Sequence, residues 1–286
     1  MQPKLSPTQL ISIINQTLEF SFDDVLIEGE VASFKINQNK WVFFDLKDEE
    51  SSVSCFIPIW NLRIPVKDGM KVLVRGIPKL TKLGKFSITV QKIQPIGEGS
   101  LKKAYEMLKK KLASEGLFDK AKKRPLPENW SKLGVISSIQ AAGYKDFIKI
   151  INSRWSGLDI RVAHTQVQGI DAPDQIIQAL QYFNEHGDVE VIAILRGGGS
   201  ADDLAAFNDE KLVRAIASSK IPVITGIGHE VDESLADLVA DMRASTPSNA
   251  AEILTKDKKS EISRVKYAIE VIGKKILDNI SHESRN

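Results

Sequence analysis

The sequence has little cysteine, no long apolar run and almost no net charge. Cys55 is the only cysteine among 286 residues, which excludes an internal disulfide and a zinc site built on cysteines. No run of about 18 apolar residues occurs, so no transmembrane helix is predicted. Residues 1–15 lack the basic start and apolar core of a signal peptide. The chain is therefore expected in the cytoplasm, away from membranes, since chains without disulfides are typical of reducing compartments.

The composition is that of a folded globular protein. Apolar residues make up 42% of the sequence and charged residues 27%, which suffices for a packed core and excludes a disordered or collagen-like chain. The length predicts one large domain or two of ordinary size. The 39 Lys and Arg residues nearly balance the 37 Asp and Glu residues, for a formal charge of +2.

This near balance conceals an uneven distribution of charge. Residues 100–127 carry nine basic and three acidic side chains, whereas residues 128–255 carry ten basic and eighteen acidic ones. A basic band beside an acidic domain suits a polyanion that is held at one place and processed at another. On charge alone, the simpler interpretation is a solvated, lysine-rich helix face, so the band indicates nucleic acid only if other features do.

The N-terminal third predicts a helix followed by a small β-barrel. Ser6 and Pro7 have the residue types of a helix cap and first turn, and apolar residues then recur at helical spacing. Between Val25 and about Ile96, apolar and polar residues alternate through five short strands. Five such strands favour an OB-fold over residues 1–97 that binds single-stranded nucleic acid, with a small sandwich as the alternative.

The rest of the chain divides into three predicted parts. Residues 98–130 form a basic connector with one helix, and residues 131–255 alternate between apolar strands and helices. That alternation predicts a catalytic α/β domain whose parallel sheet is buried on both faces. Residues 256–286 carry an apolar stripe at near-heptad spacing, which predicts a helix and the start of a coiled coil. The stripe either packs back on the chain or contacts a partner.

Three loops follow strands of the predicted sheet, at the edge where parallel sheets bind ligands. They are residues 137–146, 196–203 and 226–232. The second loop leads into a predicted long helix through Ile216 and begins with Arg196, Gly197, Gly198, Gly199 and Ser200. Glycine N–H groups approach an anion closely, and arginine offers phosphate a planar fork. Because the loop lacks the P-loop and dinucleotide patterns, phosphate binding and a simple tight turn both stay open.

The third loop contains the best candidate for proton transfer. His229 follows a glycine-rich strand end, and Asp232 has the spacing to orient its ring. Asp146 is expected to face the same edge as Arg196 and His229. Simpler interpretations are a histidine that caps the next helix and an exposed helix acid. The sequence requires no cofactor, although Asp146, Asp232 and Asp241 would suffice for one Mg²⁺; without it, His229 serves as acid or base.

Aromatic and basic residues of the predicted barrel indicate a site for single-stranded nucleic acid. Four aromatic residues fall among three lysines in this stretch: Phe34, Trp41, Phe43 and Phe44 among Lys35, Lys40 and Lys47. OB-folds stack bases on aromatic rings beside a basic groove. Alternation along the second strand places Trp41 and Phe43 on one face and Phe44 on the other, so at least half of the aromatic residues are expected to be structural.

Several stretches together resemble the large-subunit family of exodeoxyribonuclease VII. They are G-E-V-A-S-F-K and W-V-F-F-D-L-K-D-E in the barrel, then R-G-G-G-S-A-D-D-L-A-A-F-N, I-P-V-I-T-G-I-G-H-E-V-D and A-D-M-R-A-S-T-P-S-N-A-A-E in the α/β part. The similarity covers about residues 6–252. R-G-G-G-S and G-H-E-x-D are its most specific parts.

The resemblance implies an exonuclease specific for single-stranded DNA. It implies digestion from either end, 5′→3′ and 3′→5′, to 5′-phosphorylated oligonucleotides and nucleotides, without a divalent metal. It also implies several copies of a small subunit bound through the C-terminal helix. By motif, the family's catalytic positions fall on Asp146, Arg196, His229 and Asp232.

One stretch departs from the family pattern. The family loop before the catalytic aspartate reads T-S-P-T-G-A-A, whereas this chain has S-S-I-Q-A-A-G, with Ile139 in place of the proline and the glycine shifted to Gly143. This departure motivates an alternative, a single-stranded-DNA-binding module whose α/β domain is inactive or regulatory. A nucleotide- or sugar-phosphate-binding enzyme is a weaker third hypothesis, because it leaves the barrel unexplained.

Overall fold

Helix α1 (Pro7–Ser21) opens the fold. The computed structural model describes residues 4–155, 157–198, 202–228, 233–256 and 258–283, without the side chains at 202, 203, 259 and 278–283. The Gln9 N–H donates to Ser6 Oγ and the Ser6 N–H donates to Gln9 Oε1, a capping box that explains why the helix begins here. Asn15 fixes the helix to the barrel through two hydrogen bonds with the backbone of Leu80, at 2.8 and 3.1 Å.

The next five strands close into a barrel in the order β1-β2-β3-β5-β4. Their bounds are β1 (Val25–Asn37), β2 (Trp41–Lys47), β3 (Ser52–Pro58), β4 (Lys71–Leu80) and β5 (Phe86–Pro95). Along β2, Val42, Phe44 and Leu46 are buried, while Trp41 and Phe43 lie on the outer face. The predicted OB-fold barrel is confirmed, as is the placement of Phe44 opposite Trp41.

Strand β1 bends so that it pairs with both neighbours. Its first half pairs with β4 and its second half with β2. The register shifts between Ala32 and Lys35, and Ser33 between them has a φ of 56°. A bulge of this kind bends a strand, and the bend lets the small sheet close on itself.

A second sheet has five parallel strands in the order β10-β9-β8-β6-β7. The strands are β6 (Lys132–Ser137), β7 (Asp159–His164), β8 (Val191–Leu195), β9 (Val223–Gly226) and β10 (Met242–Ala244). The helices α3 (Ala142–Arg154), α4 (Ala172–His186), α5 (Glu210–Ala217), α6 (Leu235–Val239) and α7 (Pro247–Leu254) accompany them. The central strand β8 is buried along its whole length, which confirms the predicted parallel-sheet α/β domain.

Two details of this domain correct the sequence prediction. The long helix expected to end at Ile216 is interrupted: a 3-10 segment (Asp202–Asn208) precedes α5, and Asp209 caps α5 by accepting the Leu212 N–H. A helix that restarts at a capping aspartate keeps the same apolar period, so periodicity alone missed the break. Strand β10 was not predicted, because its three residues are too few to show a period.

Helix α2 (Glu98–Ser114), between β5 and β6, joins the two cores. Ala104 packs in the barrel core, whereas Leu108 and Leu112 pack in the core of the α/β domain. The connector is therefore a shared structural element. No described helix has the length and apolar character needed to cross a bilayer.

The last helix, α8 (Lys258–Glu283), leaves its apolar stripe exposed. Ile262, Val265, Ile269, Ile272 and Ile276 are between 45% and 64% exposed. Packing of the stripe back on the chain, one of the two alternatives, is therefore wrong for the described side chains of this helix.

Candidate active site and nucleic-acid interface

The carboxyl ends of β6, β8 and β9 bring the starts of the three loops to one edge of the sheet. Ser137 Oγ donates to the Leu195 carbonyl across 2.9 Å. The Arg196 N–H donates to the Gly226 carbonyl across 3.0 Å. In parallel sheets, loops that are far apart in the chain meet beyond the carboxyl ends of the strands. These two cross-strand hydrogen bonds show that arrangement here.

A close backbone approach joins the first two loops. Gly143 lies in the first turn of α3, and a Cβ atom placed on it would be 2.8 Å from the Gly197 Cα and 2.9 Å from the Pro247 Cγ. Real Cβ atoms do not tolerate such distances, so only glycine fits at this position. The shifted glycine of the first loop therefore has a packing reason in this chain, because it lets α3 touch the glycine-rich loop.

A cleft of about 550 Å³ opens at this edge. Residues of both loops line it, among them Ala141, Ala142, Gly197 and Gly198. The N-cap residue of α3 is Ala141, which offers no capping side chain, so among the described residues the first-turn N–H groups of this helix have no side-chain acceptor. An uncapped helix N-terminus beside glycine backbone is a favourable place for an anion.

Arg196 forms part of the cleft wall. Its side chain is buried, at 2% exposure, and Nη1 donates to the Ile227 carbonyl at 3.5 Å. Burial holds the guanidinium in one place, and its planar fork suits a phosphate group. Arg196, Gly197 and Gly198 are thus the predicted site residues that the structure brings to the cleft.

The other predicted catalytic residues are not among the described residues that line the cleft. Asp146 lies in the second turn of α3, exposed beside the buried Phe147, and it is not among the residues that line the cleft. His229, Asp232 and the phosphate-loop residues Gly199 and Ser200 lie outside the described residues. Convergence of all four catalytic candidates stays a prediction.

Asp241 was a wrong candidate for a Mg²⁺ ligand. Its carboxylate accepts the N–H of Val223, the first residue of β9, and the N–H of Arg124. It therefore lies at the amino edge of the sheet, opposite the cleft, where it pairs with the Arg124 guanidinium at 2.8 Å. Within the described residues, no group of three His, Cys, Asp or Glu side chains could hold a metal ion.

The outer face of the barrel carries a continuous row of rings, here called the aromatic ladder. Its members in spatial order are Phe43, Phe56, Trp41 and Trp60. Neighbouring ring centroids are 5.2, 5.3 and 5.4 Å apart, within the range of favourable aromatic pairs. The end members Phe43 and Trp60 are 43% and 56% exposed. Sequence analysis singled out Trp41 and Phe43 but not Phe56, which was signalled by its outward position in the alternation of β3, directly opposite Phe43.

A groove of about 940 Å³ continues from the ladder between α1 and the barrel. The rings of Phe43, Phe56 and Phe86 line it, together with Lys79, Lys82, Lys85 and polar residues of α1. Rings for stacking and cations for phosphate are the two elements of single-strand recognition.

The remaining predicted DNA-binding residues lie outside this groove. Phe34 packs partly against the barrel core, whereas Lys35 and Lys40 are exposed. None of the three belongs to the residues that line the groove. Their predicted contact with DNA therefore depends on a strand that crosses the outer face of β1 and the turn between β1 and β2.

Salt bridges attach the barrel to the α/β domain beside the cleft edge. Lys92 binds Asp171 at 2.7 Å and Asp174 at 2.6 Å, and Arg75 binds Asp171 at 2.7 Å. Partial burial alone would raise the pKa of both aspartates, but the barrel cations hold each pKa below its ordinary value. Because α4 follows the carboxyl end of β7, these contacts place the barrel at the cleft side of the sheet.

Asp209 has the opposite shift at the same interface. Burial raises its pKa to about 6, although the α5 N–H groups and Arg63, 3.9 Å away, favour the charged form. Desolvation of the carboxylate outweighs these contacts.

Some residues of the basic band, residues 100–127, form ion pairs with acidic residues of the same chain. Lys111 pairs with Glu210 at 2.8 Å, and Arg124 forms the partly buried pair with Asp241. Lys109 lies near Tyr105, with Nζ 3.3 Å from the phenol oxygen. These contacts support a structural role for part of the band.

The fold and the two sites define a class: an OB-type barrel with a ring-lined face, docked at the ligand edge of a parallel α/β domain. The family model described as "Exonuclease VII, large subunit" matches residues 117–286, and the model described as "OB-fold nucleic acid binding domain" matches residues 5–94. The chain therefore belongs to the exodeoxyribonuclease VII large-subunit family.

Similar proteins agree with this assignment. The exodeoxyribonuclease 7 large subunit of Geobacter metallireducens is 39% identical over 92% of this chain and 59% of its own length. That of Hamiltonella defensa is 40% identical over 91% of this chain and 59% of its own. The chain thus spans about three fifths of these relatives. Among solved structures, a replication protein A heterotrimer bound to ssDNA matches 26% of this chain and 58% of its own, at 15% identity and a TM-score of 0.24, too low to carry an argument.

Proposed function

We propose that this chain forms the DNA-holding and catalytic part of an exodeoxyribonuclease VII. It hydrolyses single-stranded DNA from either end to 5′-phosphorylated oligonucleotides and nucleotides. The observation that carries the proposal is the cleft, where the buried Arg196, the Gly197–Gly198 backbone and the uncapped start of α3 surround a space suited to a phosphate. The barrel with its aromatic ladder is docked beside that cleft and supplies the strand.

The proposed chemistry uses this chain's own residues. Water attacks the phosphorus and loses a proton to His229, which Asp232 orients. The bond from phosphorus to the 3′ oxygen breaks, that oxygen takes up a proton, and the phosphate stays on the 5′ side. Arg196 and the loop N–H groups stabilise the added negative charge of the transition state. Asp146, an exposed residue in the second turn of α3, completes the set of proposed catalytic residues.

The aromatic ladder is the proposed holding surface. Stacking tolerates any base, and Lys79, Lys82 and Lys85 offset the phosphate charge in the groove. Trp60 ends the ladder three residues before Arg63, whose carbonyl accepts the N–H of Glu210 at the interface with the α/β domain. A DNA strand that leaves the ladder at Trp60 is therefore directed toward the cleft edge. Lys40, whose carbonyl accepts the Ile59 N–H, lies at this end, whereas Phe34 and Lys35 lie toward the Phe43 end.

The test of the function is cleavage of a labelled single strand by the complex with the small subunit supplied. His229→Ala should lower the rate at least about 100-fold, the usual size of general acid–base catalysis. His186→Ala is the matched control, because His186 is an exposed residue at the C-terminal end of α4 whose hydrogen bond and ring contact are both with Tyr182 of the same helix. Undiminished cleavage by His229→Ala would contradict the assigned role. Binding without turnover by the unmodified chain would favour the inactive-module alternative.

The proposed partners are several copies of the small subunit, bound in the cytoplasm by α8. The exposed stripe of isoleucine and valine on α8 supplies an apolar seam at heptad-like spacing. Ile269→Asp with Ile272→Asp should abolish co-purification of the two subunits. Lys266→Asp with Lys274→Asp, on the same helix but outside the stripe, should leave it intact. Co-purification that survives the first pair would assign the contact to another surface.

A further inference from the structure

We propose that His164 is a positioning residue of the cleft, which acts through the backbone of Ile139; this inference rests on the function proposed above. His164 is the last residue of β7, and it lies opposite Ser137 in the register of β6. The Ile139 N–H donates to Nδ1 of the His164 ring at 3.3 Å. The Thr165 N–H donates to the Ser137 carbonyl at 3.1 Å, so the contact at Ile139 extends the pairing of the two strands by one side-chain bond.

The contact holds a tight turn at the start of the first loop. The Ala141 N–H donates to the Ser138 carbonyl at 3.0 Å, which makes residues 138–141 a β-turn with Ile139 at its second position. Proline is favoured at that position, fixes φ and has no N–H to satisfy. This chain has isoleucine there, which leaves φ free and presents a donor. The His164 ring supplies an acceptor for that donor and so replaces part of the rigidity that proline would give.

The turn leads directly to the cleft. Ala141 and Ala142 line the cleft, and Gly143 touches Gly197 of the second loop. A displacement at Ile139 is therefore transmitted within a few residues to the backbone groups proposed to bind phosphate. The role requires Nδ1 without a hydrogen, so the ring carries its hydrogen on Nε2. His164 itself is not among the residues that line the cleft.

The first test compares two substitutions at this position with a matched control. His164→Phe removes the acceptor, whereas His164→Asn keeps one in its carboxamide oxygen. His164→Phe should lower kcat for a single-stranded oligonucleotide about three- to tenfold, the size of one net hydrogen bond, with KM unchanged. His164→Asn should recover most of the loss. His186→Phe, a surface histidine on α4, should have no effect. An unchanged kcat for His164→Phe would overturn the inference.

The second test removes the donor. Ile139→Pro eliminates the N–H that His164 accepts, so His164→Phe should cost nothing further in that background. The same loss in both backgrounds would show that His164 acts by another route and would overturn the inference.

A third measurement does not depend on catalysis. Amide hydrogen exchange in residues 137–146 should be faster in His164→Phe than in the unmodified chain, and slow again in His164→Asn. Unchanged exchange would overturn the inference whether or not the chain cuts DNA. Altered exchange in a complex that cuts nothing would support the positioning of the loop, while the proposed function failed.

Discussion

The aromatic ladder and the cleft are built from opposite kinds of residues. The ladder consists of large, partly exposed rings, three of them neighbours on the paired strands β2 and β3 and the fourth in the turn that follows β3. The cleft is lined by small residues, three glutamines and a buried arginine, contributed by loops far apart in the chain. The ladder therefore suits a nucleic acid of any base sequence, whereas the cleft suits a single charged group, such as a phosphate, held in one position.

The two regions should determine different quantities, the ladder the affinity for DNA and the cleft the rate of cleavage. Each stacked base contributes about 1–3 kcal/mol to binding, and the contributions are spread over several rings. A group that stabilises transition-state charge affects the rate by about 10²–10³-fold and does so at a single position. Substitutions in the two regions should therefore change different constants.

The largest expected effect is at Arg196. Arg196→Lys should lower the rate of cleavage at saturating DNA by about 10²–10³-fold, because an ammonium group does not reproduce the planar fork. The dissociation constant for single-stranded DNA should change little. Arg161→Lys on β7, whose guanidinium pairs with Asp188 at the surface, is the control. A rate within twofold of the unmodified chain would remove Arg196 from the mechanism.

A smaller loss of rate is expected at Gly143. Gly143→Ala places a methyl group against the Gly197 backbone and should displace the glycine-rich loop, which lowers the rate about 10- to 100-fold. Gly99→Ala is the matched control, since a Cβ there meets nothing within 4 Å. Single-turnover kinetics would measure both. Equal rates for the two variants would mean that the close approach has no bearing on cleavage.

The ladder should affect affinity alone. Trp41→Ala should weaken binding of a single-stranded oligonucleotide about tenfold and leave the saturated rate unchanged. Phe20→Ala removes a ring of α1 that is 93% exposed and lies outside the ladder, and it should leave binding unchanged. Fluorescence anisotropy titrations would measure both constants. Equal losses from the two variants would indicate that exposed rings, wherever placed, determine the affinity.

The smallest effect concerns the interface between the two regions. The folded pKa of Asp209, about 6, exceeds its ordinary value of 3.8, so the folded state binds its proton more tightly and this group destabilises the fold as pH rises through 6. Asp209→Asn, which keeps a capping side chain, should raise the free energy of unfolding at pH 7.5 by at most about 3 kcal/mol and less at pH 5. Urea unfolding at both pH values would measure this. A gain in the free energy of unfolding of Asp209→Asn that is larger at pH 5 than at pH 7.5 would contradict burial as the cause of the raised pKa.

Alternation and strand order predicted much of the fold and part of the site. The barrel, the parallel sheet and the meeting of Ser137, Arg196 and Gly226 at one edge follow from periods of two and from the geometry of parallel strands. The contact between Gly143 and Gly197 did not follow, because a close approach of two glycines leaves no period in the sequence. Trp60 was missed because it lies in a 3-10 turn after β3, where alternation has ended.

The central claim is that the cleft edge cuts single strands that the barrel holds. The most direct measurement is digestion of an end-labelled oligonucleotide, single-stranded or in a duplex, by the chain with its small subunit, with and without a chelator of divalent metals. We expect short 5′-phosphorylated products from the single strand only, with or without chelator. Equal digestion of the duplex, or intact single strands under every condition, would contradict it.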